Sequence, residues 1–117
     1  MMIVEPMLER LDAYDSYRWA VDLFEDRDYY AAAKVLRHLV DTHPVESELR
    51  AARELLVRSY FHSAQTERAA EEARVLLDLD PTNDYAALLL TRALQRASRS
   101  DEAASAARVA SALGAEV

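Results

Sequence analysis

Three features of the sequence predict an all-α fold made of three antiparallel helix pairs. Good helix formers dominate the composition, and only one glycine and three prolines interrupt the chain of 117 residues. Apolar residues recur at intervals of three and four, as they do along one face of a helix. Six such segments follow one another with short turns between them, and no pattern of alternating residues indicates a strand.

The first helix pair is preceded by a lead-in segment. Residues 1–12 are interpreted as a cap over the apolar end of the fold, and a ligand-like arm is the alternative. The first helix is predicted to run to about Asp26. After a short turn, Asp28 can cap a second helix over 29–42, because its side chain accepts hydrogen bonds from free amides of the first turn. Pro44 ends that helix.

The next two helices are predicted over 47–63 and 67–79. Thr66 is expected to cap the second of these. The residue before a proline is pushed out of the helical region, so the helix should end just before Asp80 and Pro81. The fourth helix shows most clearly how a unit is built. Its core-facing stripe is apolar and consists of Ala69, Ala73, Leu76 and Leu77, whereas Glu71 and Glu72 are expected on a solvated face.

The last pair is predicted over 83–97 and 101–113, with Gly114 as a suitable stop. The chain after the lead-in therefore divides into three units. These units are 13–46, 47–83 and 84–117.

The units repeat at a regular interval. When they are aligned on Ala32, Ala69 and Ala103, the spacing is 37 and then 34 residues. The matching positions are small or apolar residues, followed in two units by a proline: Trp19, Ala20, Leu23, Ala32, Leu36 and Pro44; Leu56, Val57, Tyr60, Ala69, Ala73 and Pro81; Leu90, Thr91, Leu94, Ala103 and Ala107. A helix–turn–helix period of 34 residues is typical of tetratricopeptide repeats, and the chain resembles that family over residues 13–117.

The sequence also departs from the family pattern. The position of the family's first tryptophan holds Ser16, Arg53 and Ala87, no unit keeps the internal glycine, and three extra residues separate the first two units. The alanine spacing nevertheless has a physical cause. Only a small side chain lets the backbones of two crossing helices approach closely, and a larger one costs about 1–3 kcal/mol of overpacking.

The resemblance implies an α-α superhelix in which the first helix of each pair lines a concave groove. The groove would be aromatic at one end and would carry arginines towards the other. Its residues would be Tyr14, Tyr17, Val21 and Phe24 from the first unit, Glu54, Arg58, Phe61 and His62 from the second, and Tyr85, Leu88, Arg92 and Arg96 from the third. The alternative is that Tyr14, Tyr17 and Phe24 fill the curved interior or meet the N-terminal segment.

The sequence contains no pattern that predicts a metal-binding, phosphate-binding or catalytic site. The chain has no cysteine, and His38, His43 and His62 are too scattered to form a metal-ligand set, so no metal is expected. A single glycine excludes phosphate-cradling loops. No catalytic motif is present, and we expect neither enzymatic activity nor a cofactor.

Charge and hydropathy narrow the range of partners. The formal net charge of −7 makes nucleic acid and an anionic membrane surface poor ligands. The N-terminus lacks the pattern of a secretory signal, and the longest apolar run, residues 85–90, is far shorter than a bilayer span. A cytoplasmic location is therefore expected.

Apolar anchors combined with positioned charges are typical of peptide recognition. We therefore expect a non-enzymatic protein-interaction module, an adaptor or a small chaperone, whose groove binds a peptide or helix that is acidic and has apolar anchors. The alternative is a structural or regulatory subunit that self-associates through the ends of the array, for example as a homodimer.

Overall fold

A computed structural model of the chain describes residues 12–43 and 49–116, and all regular structure within these ranges is helical. The six helices are α1 (Ala13–Glu25), α2 (Tyr29–Thr42), α3 (Leu49–His62), α4 (Thr66–Leu79), α5 (Asp84–Arg96) and α6 (Ser100–Ala112). The predicted fold class is confirmed: the protein is an all-α array of helix pairs.

The helices stack in chain order. Each helix packs against the next one, and α3 also contacts both α1 and α5. The odd-numbered helices therefore lie together along one side of an elongated body that measures 42 × 28 × 19 Å. This arrangement is a helical-pair solenoid, and it gives the first helices of the three pairs a common surface.

The same turn joins the two helices of every pair. One residue in each turn has a positive φ: 63° at Arg27, 62° at Ala64 and 60° at Ser98. The next amide bonds back to the carbonyl five residues earlier, as in a Schellman motif. These bonds run from Asp28 to Leu23, from Gln65 to Tyr60 and from Arg99 to Leu94. The turns recur at the same 37- and 34-residue spacing as the alanines, so the repeat is present in the backbone as well as in the sequence.

The turns explain how the second helix of a pair begins. Asp28 caps α2 as predicted, because its Oδ1 accepts a hydrogen bond from the amide of Ala31 at 3.3 Å. The prediction that Thr66 caps α4 is wrong. The tight turn leaves a single residue between the positive-φ position and the helix, so Gln65 stands where Asp28 stands in the first unit and makes no side-chain cap.

Two predicted helix ends are confirmed. α4 ends at Leu79, just before Asp80 and Pro81. The glycine at 114 has a φ of 98° in the turn that follows α6, a conformation that glycine adopts without the steric cost of a side chain. The interpretation of residues 1–11 as a cap, the role of Pro44 and the insertion around 45–48 lie outside the described residues.

The alanines used for alignment lie in the core. Ala32 and Ala69 are completely buried, and Ala103 is 4% exposed. Larger apolar residues surround them, including Leu36, Leu56 and Leu94. Among the described residues, no helix is long and apolar enough to cross a membrane.

Glu72 was expected on a solvated face, but it is buried. Its Oε1 accepts a hydrogen bond from Arg53 Nη1 at 2.7 Å, and its Oε2 accepts one from Arg37 Nη1 at 2.9 Å. Two guanidinium groups offset the cost of removing the carboxylate from water, which an apolar environment alone could not do. The network joins three helices, because Arg37 belongs to α2, Arg53 to α3 and Glu72 to α4.

This ion pair is specific to the second unit. The equivalent pairs are Ser16 with Val35 in the first unit and Ala87 with Ala106 in the third, and all four of these side chains are buried. Burial lowers the pKa of Arg37, but hydrogen bonds to Asp41 and Glu72 outweigh it and hold that pKa above its ordinary value. Arg37 is therefore held as a cation beside the two carboxylates.

We expect Ala69→Leu to lower the thermal unfolding midpoint, because the buried helix crossing has no room for a larger side chain. The loss should be about 1–3 kcal/mol. Ala64→Leu, in the exposed turn before α4, is the matched control and should change the midpoint little. Equal losses at the two positions would show that Ala69 does not mark a close crossing.

Glu72→Ala should destabilise the fold by about 3–5 kcal/mol, because it removes the buried carboxylate that pairs with the buried guanidinium of Arg53. The double variant Arg53→Ala/Glu72→Ala installs the pair found in the third unit, and we expect it to lose less than the two single variants combined. Urea unfolding of the four proteins measures this coupling. Additive losses would mean that the two charges do not interact in the folded chain.

Candidate functional site

The surface shared by the odd-numbered helices carries a compact group of rings and cations near the ends of α1, α3 and α5. We call it the aromatic–arginine cluster. It consists of Phe24, Tyr29, Arg58, Phe61, His62 and Arg96. Five of these residues were predicted as groove residues from the sequence, and the structure brings these five together.

His62 is at the centre of the ring contacts. Its imidazole stacks on the Tyr29 ring, with centroids 4.8 Å apart and an angle of 28° between the planes. It meets Phe24 at 5.8 Å and Phe61 at 5.7 Å, both edge to face. Phe24 also packs edge to face on Tyr29 at 4.9 Å. These distances lie in the range of favourable aromatic pairs, so the rings hold one another in place.

Each phenylalanine of the cluster also contacts a guanidinium group. The Cζ of Arg58 lies 4.7 Å from the centre of the Phe24 ring, and the Cζ of Arg96 lies 4.8 Å from the centre of the Phe61 ring. Such contacts contribute about 0.5–1 kcal/mol each at exposed sites. These contacts restrict the movement of the long arginine side chains. They leave the guanidinium N–H groups available to donate hydrogen bonds to an oxygen acceptor.

Three arginines of this surface have no carboxylate partner. Within the described ranges, Arg58, Arg92 and Arg96 form no ion pair with a carboxylate. Five arginines away from the cluster do have carboxylate partners: Arg37 pairs with Asp41 and Glu72, Arg50 with Asp80, Arg53 with Glu72, Arg74 with Glu102, and Arg99 with Glu67 and Glu102. The cluster itself contains two guanidinium groups and no carboxylate, so its own charge is positive.

This positive charge acts on His62. Burial lowers the pKa of its imidazole below the ordinary value of 6.5, and the positive charges of Arg58 and Arg96 lower it further. Arg58 precedes His62 by one turn of α3, and Arg96 lies over the ring of Phe61, the residue next to His62. An uncharged histidine is favoured there until a negative charge arrives.

The remaining predicted residues of the first unit lie beside the cluster on α1. Tyr17 and Val21 are half-buried and pack against the core, so their rings and methyl groups contribute mainly to the floor of the surface. Tyr14 is 66% exposed at the start of the helix, and its phenol group raises the pKa of the Arg18 guanidinium above its ordinary value.

The second and third units supply the rest of the surface. Glu54 is half-buried, and its Oε1 accepts a long hydrogen bond of 3.4 Å from Asn83 Nδ2. On α5, Leu88 is half-buried, whereas Tyr85 and Arg92 are exposed. The surface therefore offers apolar contact area with charged residues at fixed points.

Tyr29 was missed as a site residue from the sequence. It is the first residue of α2, so it belongs to the second helix of its pair, and the groove residues were sought on the first. The available signal was its position only five residues after Phe24, across a turn too short to separate the two rings.

A depression of about 320 Å³ lies elsewhere on the molecule and shares no residue with the cluster. It is lined by Arg37, Tyr60, Arg68, Glu71 and Glu72. Its charges are of both signs, and Arg37 and Glu72 in its lining already bond to each other. Among the described residues, no three histidine, aspartate or glutamate side chains converge as a metal site would require.

No protein-family model matches the chain, and no curated protein matches it.

We expect the pKa of His62, measured by NMR titration of its imidazole, to lie below 6.5 and to rise in Arg96→Gln, which removes one of the two nearby positive charges. The folded chain then binds this proton less readily than the unfolded chain. His62 therefore stabilises the fold above about pH 6.5 and loses that contribution as the pH falls through its folded pKa. An unchanged titration in Arg96→Gln would place the guanidinium too far away to act.

Proposed function

We propose that the chain is a tetratricopeptide-like adaptor or small chaperone that binds a peptide or helix of a partner protein on the surface of α1, α3 and α5. The observation that carries this proposal is the aromatic–arginine cluster. Arg58 and Arg96 lie over aromatic rings, and neither forms an ion pair with a carboxylate within the described ranges. Repeating turns and alanines at a spacing of 37 and 34 residues support membership of the tetratricopeptide family.

The chemistry of the surface favours a partner that is acidic and has apolar anchors. Aromatic side chains with few rotatable bonds give contact area at a low cost in entropy, and they are frequent among residues that dominate binding energy. Restrained arginines add direction and long-range attraction, which mainly raise the association rate. The positive charge of the cluster covers only part of one side, so it offers no continuous track for a nucleic-acid backbone.

In this proposal the protein works without catalysis or cofactor, and it acts in the cytoplasm on another protein. Its affinity comes from the partner's fit to the surface. A chaperone role and an adaptor role would use the same contacts and differ in how long the partner stays bound.

Self-association through the array ends is the second candidate. It is supported by exposed apolar residues on the last two pairs, where Leu79 is 65% and Val109 is 48% exposed. Light scattering over a range of concentrations separates the two. A monomer supports the adaptor, whereas an intrinsic dimer supports self-association.

Partner capture from native extract tests the proposal directly. Phe61→Ala and Tyr17→Ala should weaken capture at any salt concentration, since truncating an anchor costs about 2 kcal/mol or more. Arg92→Ala combined with Arg96→Ala should weaken it mainly at low salt, where electrostatic attraction is strongest.

Lys34→Ala and Arg74→Ala change charge on the second helices of the pairs and serve as controls. Arg74 pairs with Glu102 at 2.6 Å between exposed side chains, so its loss should cost the fold little. The proposal is wrong if these variants lose the partner while the correctly folded variants on α1, α3 and α5 retain it.

A further inference from the structure

The exposed side chain of His62 is surrounded by aromatic rings and by the guanidinium groups of two arginines. Tyr29 of α2 and Phe24 of α1 pack against its imidazole, and so does Phe61, the preceding residue of α3. The positive charges of Arg58 on α3 and Arg96 on α5 also act on it. Among the described residues, the charges that shift its pKa are those of the two guanidinium groups. The site therefore lacks the negative charge that usually accompanies such a concentration of cations.

The same groups are arranged to receive an anion. Each guanidinium is restrained over a phenylalanine ring while its N–H donors have no carboxylate within the described ranges. Less side-chain entropy is then lost when an acceptor arrives. His62 can add a further charged donor once it is protonated.

We propose that the aromatic–arginine cluster binds a carboxylate side chain of the partner at His62, beside Arg58 and Arg96, and that this binding takes up a proton on the imidazole. This inference rests on the proposed function and adds to it the chemistry of the contact and its regulation by pH. An acidic residue flanked by apolar ones fits the site, because the rings of Phe24 and Phe61 offer apolar contact beside the imidazole.

The direction of the pH effect follows from linkage. A bound carboxylate favours the charged imidazole and raises the pKa of His62 from its depressed value. The complex then holds more protons than the free chain, so affinity rises as pH falls from about 8 to about 6. The partner's own carboxylate stays ionised over that range, since its ordinary pKa is about 4.

The experiment uses the full chain and two capped peptides, one that repeats Glu-Glu-Leu and a neutral one that repeats Gln-Gln-Leu. Titration calorimetry should show the acidic peptide binding about tenfold more tightly than the neutral one, the factor expected for one charge-assisted contact. NMR of the imidazole should show the pKa of His62 rising when the acidic peptide is bound. His62→Gln should bind the peptide with an affinity that changes little with pH.

Arg96→Gln and Arg58→Gln should each weaken the acidic peptide by about threefold to tenfold. Arg108→Gln on α6 is the matched control: it removes the same charge from an exposed arginine that donates only to Ser105 Oγ, and it should bind like the original chain. Arg96 also ends α5, where the helix dipole favours a cation, so circular dichroism must show that each variant is folded. If Arg58→Gln fails to fold, Arg96→Gln and the titration of His62 still decide.

Three results would overturn the inference: equal losses in Arg96→Gln and Arg108→Gln, equal binding of the two peptides, or a His62 titration that the acidic peptide leaves unchanged. The first result would indicate that the acidic peptide is attracted by the positive charges of the chain in general and does not occupy a defined site. If Phe61→Ala loses the native partner but Arg58→Gln and Arg96→Gln retain it, the adaptor function stands and the carboxylate site is wrong. If the peptide binds as expected but the native partner binds all of these variants as tightly as it binds the original chain, the site stands and the adaptor function is wrong.

Discussion

The fold depends on the close approach of two helices at one small residue in each unit. Ala32, Ala69 and Ala103 are buried where larger side chains would hold the helix pairs apart. This contact sets the geometry of a pair, and the recurring turn at Arg27, Ala64 and Ser98 directs the second helix back along the first. Because every unit uses the same contact and the same turn, stacking three of them places α1, α3 and α5 side by side. The candidate binding surface follows from that repetition.

The second unit joins its neighbour in a different way. Glu72 binds Arg53 within its own unit and Arg37 from the unit before it, and both Glu72 and Arg53 are buried. Replacing such a network with apolar residues is often neutral for stability, so its value lies more in fixing how adjacent units meet. The same two units supply Phe24, Tyr29, Arg58 and His62 to the cluster. Their register must be fixed for these rings and cations to meet.

Most of the fold could be predicted from the sequence because its causes are local. Helix period, the cap at Asp28 and the stop at Gly114 depend on residues close together in the chain. The burial of Glu72 could not be predicted, since its partners lie on two other helices and a glutamate beside an apolar stripe is usually solvated. For the site, the spacing of the units predicted which residues share a surface. It could not predict that Arg58 and Arg96 lie over phenylalanine rings or that Tyr29 stacks on His62, because these contacts depend on how the units pack against one another.

The central claim is that the protein acts through the surface of its odd-numbered helices. Local charge supports it, since Arg58, Arg92 and Arg96 form no ion pair with any described residue, on a chain with a net charge of −7. Hydrogen–deuterium exchange of the full chain, with and without its captured partner, tests the claim most directly. We expect binding to slow exchange in the C-terminal turns of α1, α3 and α5 and at the start of α2. Exchange in α4 and α6 should be unaffected. Protection confined to α4 and α6 would contradict it.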